Sequence, residues 1–69
     1  MLALLTGKTH KGKSIVLAHG NTWDILRWSK GQVLVKSGRD MRWIDMKSDK
    51  DFDITLPQCV LDDIRLPNG

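Results

Sequence analysis

The run Gly7-Lys8-Thr9-His10-Lys11-Gly12-Lys13-Ser14-Ile15-Val16-Leu17-Ala18-His19-Gly20-Asn21 can be read in two ways, and they lead to different folds. Its first eight residues fit the spacing G-x-x-x-x-G-K-[ST]. In that motif a glycine-rich loop and the N-terminus of the next helix cradle phosphates. The helix must start at the lysine. Here β-branched Ile15 and Val16 follow instead, and His19-Gly20-Asn21 turns the chain a few residues later. The spacing therefore predicts a polar, basic loop over Thr6–Lys13 and a short strand over Ser14–Ala18. The chain has 69 residues, too few for the parallel sheet that surrounds a phosphate-binding loop. Val60-Leu61-Asp62-Asp63 mimics a metal-binding acidic strand end and meets the same objection. Nucleoside triphosphate hydrolysis is excluded on this reading.

Outward from this run the chain reads as short strands broken by turns. Leu2–Leu5 is an apolar first strand. Thr22–Ser29 is a third, after Ser14–Ala18. It places Trp23 and Ile25 on one face and Leu26 and Trp28 on the other, as a bulged strand or one covered on both sides would. A short helix capped by Thr22 is the competing reading. Gln32–Lys36 and Met41–Met46 follow. Phe52, Ile54 and Leu56 alternate with Asp53 and Thr55, the period of a half-buried strand. Gln58–Leu66 reads as one or two helical turns, with Pro57 at its start and Pro67 beyond it. There is no Glu and only two Ala, while Val, Ile, Thr and Trp are plentiful, which leans against helix. The expected fold is all-β. It is one domain over residues 1–69, a small SH3-like or OB-like barrel of five to six short antiparallel strands with a short C-terminal helical turn. Closure would hide the strand edges that a small sheet must otherwise protect.

Leu2-Ala3-Leu4-Leu5-Thr6-Gly7-Lys8, then Lys11-Gly12-Lys13-Ser14-Ile15-Val16-Leu17, resembles the KOW motif of SH3-like barrels in transcription elongation factors and some ribosomal proteins. Two apolar strands flank a Gly-Lys and a Lys-Gly-Lys. One extra residue precedes Lys11-Gly12, and the motif's glycine before the second strand is absent. The resemblance covers about a quarter of the chain. It implies binding to RNA, DNA or a nucleic-acid-associated protein, with Lys8, Lys11 and Lys13 on phosphates and His10 close by.

Charge points the same way. The net charge is +3, but residues 1–43 hold eight Lys/Arg against two Asp, and residues 44–69 hold three against six. A basic pole attracts phosphate backbones or acidic partners. Arg27, Trp28 and Lys30 lie together, and Arg39 and Arg42 approach Trp43. A cation beside an aromatic ring is what base stacking with backbone contact requires. The candidate nucleic-acid-binding residues are therefore Lys8, His10, Lys11, Lys13, Arg27, Trp28, Lys30, Arg39 and Arg42. The competing reading puts Trp23, Trp28 and Trp43 in the core with their basic neighbours facing outward.

Other chemistry finds little support. Asp45, Asp49, Asp51 and Asp53 begin a calcium-loop spacing but lack its glycine and terminal Glu, so a solvated turn is expected and no metal. Cys59 could pair with His10 or His19 for nucleophilic chemistry, but a lone Cys reads better as a minor core residue. One cysteine cannot staple the chain, which leaves oligomerisation as the route to added stability. No catalytic residue and no cofactor are expected. No apolar run has the length of a membrane span, and Met1–Leu5 is too short for a secretory segment, so a cytoplasmic protein is expected. The leading function is a small nucleic-acid-binding module, an accessory factor of bacterial or phage type. The alternatives are an SH3-like protein–protein adaptor without nucleic-acid binding, and an oligomeric enzyme.

Overall fold

The computed structural model describes residues 1–29 and 31–65. The elements are β1 (Leu2–Gly7), α1 (His10–His19), β2 (Thr22–Trp28), β3 (Gln32–Ser37), β4 (Asp40–Asp45), β5 (Phe52–Thr55) and α2 (Gln58–Arg65). The strands form one antiparallel sheet in the order β4-β3-β2-β1-β5. Consecutive strands β1 to β4 pair as a meander, β3 and β4 turning so tightly that Ser37 pairs with Asp40. β5 returns to the other side of β1, with Leu4 opposite Thr55 and Gly7 opposite Phe52.

The fold is mainly β as the composition implies, but the sheet is not closed. β4 and β5 are both edges, so closure does not hide them. The reason lies in how the core is covered. Alternation puts Ala3, Leu5, Trp23, Val33, Val35, Ile44 and Phe52 on one face, all buried. Val60 of α2 is fully buried among them, and Ile15 and Val16 of α1 pack against the same cluster. Two helices seal this face, so the sheet does not need to curl over itself. The opposite face carries no covering layer among the described residues.

The strand expected over Ser14–Ala18 is a helix, and so is the second half of the expected Thr6–Lys13 loop. Thr9 is the N-cap: its hydroxyl accepts from the Gly12 amide at 3.1 Å and donates to the Asp51 carboxylate at 2.7 Å. Gly12, Ile15 and Val16 fall at helical spacing on the inner side, while Lys11, Lys13, Ser14, Leu17 and Ala18 face solvent. The continuous run Ile15–Ala18 conceals this stripe, because an unbroken apolar run fits either period. Gly7 lets the helix lie directly on β1, and Gly12 lets it lie on the β4–β5 turn. A Cβ on Gly7 would overlap the backbone of Lys13, and one on Gly12 would overlap the Asp51 carbonyl. Gly20 ends the helix at φ 86°, a conformation that favours glycine.

β2 is a strand over Thr22–Trp28, and of the alternatives left open it is the bulged one, its register shifting between Ile25 and Arg27. Leu26 is the extra residue. The shift turns Trp28, opposite Val33, to the covered face, where its indole N–H donates to Asp63 of α2 at 2.7 Å. α2 spans Gln58–Arg65 as expected, and Pro57 supplies the carbonyl that receives the Val60 and Leu61 amides. The expected extension to Leu66 lies outside the described residues. Trp23 is the central core residue, and its indole donates to the Gly20 carbonyl at 3.0 Å. No described helix is long and apolar enough to cross a membrane.

Candidate nucleic-acid interface

The proposed basic residues do not share one face. They separate into a cluster on α1, a residue on the open sheet face and two residues turned toward the core. Lys8, His10, Lys11 and Lys13 gather at the start of α1. All four are exposed, and α1 contains no acidic residue. Lys8 Nζ donates to the Asp49 carbonyl at 2.7 Å, which holds that side chain beside the β4–β5 turn. Arg39 sits at the other end of α1. There the Ser37 hydroxyl donates to the His19 carbonyl at 3.2 Å, and His19 Nε2 lies 3.4 Å from Asp40, tying the β3–β4 turn to the helix C-terminus.

The remainder lie elsewhere. Arg27 is exposed on the open face, in a cross-strand row with Leu34 and Trp43. Trp28 is half-buried against α2, so its ring serves packing. Arg42 faces the core side. It pairs with Asp40 at 3.0 Å and stands 5.6 Å over the Phe52 ring, while its buried Nε has no hydrogen-bond partner among the described residues. Lys30 lies outside the described residues. Trp43, 46% exposed on the open face, is the aromatic left free to stack.

Of the two expected obstacles to the phosphate-loop spacing, the absence of a parallel sheet holds and the absence of a helix does not. A helix does follow β1, but it starts at His10, so Gly12-Lys13 lies inside it. The Gly12 amide is spent on Thr9, and the Lys13 amide donates to the Thr9 carbonyl at 2.9 Å. The Asp51 carboxylate already sits at this N-terminus, where an anion would otherwise be favoured. β2 then pairs antiparallel with β1. Phosphates at this corner would be met by side chains and not by a cradle of amides.

The acidic residues expected as a solvated turn build that turn instead. The Asp49 carboxylate accepts from the amides of Asp45, Asp51 and Phe52 at 3.0–3.1 Å. Asp45 accepts from the amides of Lys47 and Ser48 at 3.0 and 3.2 Å, and these bonds hold its carboxyl below the usual carboxylate range. No cluster of potential metal ligands occurs among the described residues. Cys59 lies on α2 with its sulfur 3.1 Å from that of Met1. His19 contacts Asp40 and Trp23 instead.

Compared with known proteins, the chain matches no family model, no curated protein and no solved structure.

Sequence reasoning missed the open face. Leu2, Leu4, Met41 and Trp43 are each about half exposed, and pairing places all four there. Alternation along β1 and β4 was the available signal: once Ala3, Leu5 and Ile44 go inward, these side chains must go outward.

Proposed function

We propose that the chain is a small nucleic-acid-binding module without catalytic chemistry, holding an RNA or DNA backbone along the outer side of α1. The supporting observation is the corner formed by Lys8, His10, Lys11 and Lys13, all exposed on or beside a helix with no acidic residue. Arg39, at the far end of α1, extends the line. Lysine side chains on phosphates give affinity and position with little sequence information. The occupied helix N-terminus fits this mode, since the contacts would be charge contacts from flexible stems.

The KOW-type pattern and SH3-like descent belong to the same proposal, as does a cytoplasmic location. The return of β5 to β1 supports SH3-like descent, whereas α1 stands where the second strand of the KOW-type pattern would lie. An apolar groove of about 470 Å³, lined by Met46, Ile54, Leu56, Leu61 and Ile64, lies where the end of β4 and β5 would have to meet for the sheet to close. A protein contact is favoured by a separate observation, the exposed apolar residues of the open face.

The test is binding to unrelated single- and double-stranded oligonucleotides across a salt series. Affinity should fall steeply with salt. Lys11→Ala and Lys13→Ala should each reduce the slope by about 0.9 on duplex DNA and about 0.7 on single strands. Arg42→Ala should leave the slope unchanged. An absence of binding at low ionic strength would overturn the reading.

A further inference from the structure

The open sheet face has a cross-strand row whose order is palindromic in character. Leu2 on β1 lies opposite Asp24 on β2, Asp24 opposite Lys36 on β3, and Lys36 opposite Met41 on β4. Read across the sheet, the row is apolar, acidic, basic, apolar. A two-fold axis parallel to the strands and passing beneath the β2–β3 seam turns this row onto itself in reverse. Asp24 of one copy then meets Lys36 of the other, twice, and Leu2 meets Met41, twice. Arg27, Leu34 and Trp43 form the adjacent row; the same axis lays the Arg27 stem of one copy on Leu34 of the other, with the guanidinium reaching the rim.

We propose that this face is covered by a second copy of the same chain, packed sheet to sheet about that axis. A two-fold interface must be its own complement, and a row that interchanges acid with base and apolar with apolar meets the requirement. A generic partner would not need the palindrome. Size makes the association weak. Strands about 4.8 Å apart and about 20 Å long give each copy a face of roughly 400 Å² in projection. Two such faces total about 800 Å², below the roughly 1,000 Å² of a stable interface, so the dimer should be transient and dissociate on dilution. The two sheets would cross at about 30°, which keeps the central ion pairs closest to register. Both helices lie on the other face, so α1 stays exposed in the dimer, and dimerisation does not depend on nucleic acid.

Sedimentation equilibrium of the nucleic-acid-free protein, over a series reaching a few hundred micromolar, tests the proposal. A monomer–dimer equilibrium is expected. Asp24→Lys and Lys36→Asp each place like charges across the axis and should weaken dimerisation at least about tenfold. Mixed in equal amounts they should restore a heterodimer, because the first variant is basic at both positions, the second is acidic at both, and the axis sets each basic group against an acidic one. The like-charge neighbours within each chain persist in the mixture, so recovery reports contact between copies. Should either variant fail to fold by circular dichroism, Met41→Glu on the exposed edge strand serves instead, and should give a monomer.

A wild type that stays monomeric throughout overturns the proposal. So does dimerisation that both charge variants retain, or a mixture of folded variants that stays monomeric. A monomer whose binding to an oligonucleotide is abolished by Met41→Glu would assign the face to nucleic acid and overturn it as well.

Discussion

Gly12 is where a residue's identity matters most for how the molecule is assembled. In an exposed helix, replacing Gly by Ala stabilises by about 1 kcal/mol. Here the new methyl group meets the Asp51 carbonyl, which is backbone and cannot swing aside. Gly12→Ala should therefore destabilise by roughly 1–3 kcal/mol, the usual cost of overpacking. A urea midpoint that rises on this substitution would refute the close packing of α1 on the β4–β5 turn. Asp45 makes a second residue-level prediction. Its carboxyl is held low by the Lys47 and Ser48 amides. The contribution is complete above the unfolded value of about 3.9 and is lost as pH falls through the lower folded value. Asp45→Asn should flatten the loss of stability below about pH 4, and unfolding midpoints measured between pH 2 and 6 would show it.

At the scale of elements, the strands of the meander and β5 were legible because their patterns alternate and glycines or polar clusters mark their ends. The bulge in β2 was legible too, since Trp23, Ile25, Leu26 and Trp28 cannot share one uninterrupted pleat. Helix α1 was not. Its β-branched Ile15 and Val16 lean toward strand, and its inward stripe is masked by Leu17, which is 88% exposed. What decides for helix is tertiary: the Thr9 cap, its bond to Asp51 from far along the chain, and two glycines that allow contact with β1 and with the β4–β5 turn. Thr9→Ala should cost about 0.5–2 kcal/mol and Leu17→Ala close to nothing. Paired thermal or denaturant melts of the two variants measure the contrast, and equal losses would refute the assigned faces. For the candidate site, Lys8, His10, Lys11 and Lys13 lie together at the start of α1, as their closeness in sequence implies. Arg42 and Trp28 lie apart from them, because facing depends on a register that adjacency in sequence does not reveal.

Over the whole molecule, the charge division between the two parts of the chain does not become two opposite poles. The acidic later part supplies the β4–β5 turn, which lies against the basic start of α1 through Lys8–Asp49 and Thr9–Asp51. The basic corner is therefore held in place by the acidic segment of the same chain. The open sheet, two layers instead of a rolled barrel, leaves one side for association and the other for α1.

The place of β5 in the sheet also sets an order of events in time. β2, β3 and β4 join neighbours along the chain, and β1 waits only for α1. The β1–β5 seam joins Leu4 to Thr55, about three quarters of the chain apart, so it carries the largest loop-closure entropy of the strand pairings and should form last. In pulse-labelled hydrogen exchange during refolding, amides of β2 to β4 should gain protection before those of β5. Simultaneous protection would point to a single concerted nucleus instead. In the native state the same seam should be the first to open. Each opening of β5 would release Asp51 from Thr9 and leave the Thr9 cap without its long-range anchor, making the basic corner the part of the molecule whose lifetime is set by its slowest-formed contact.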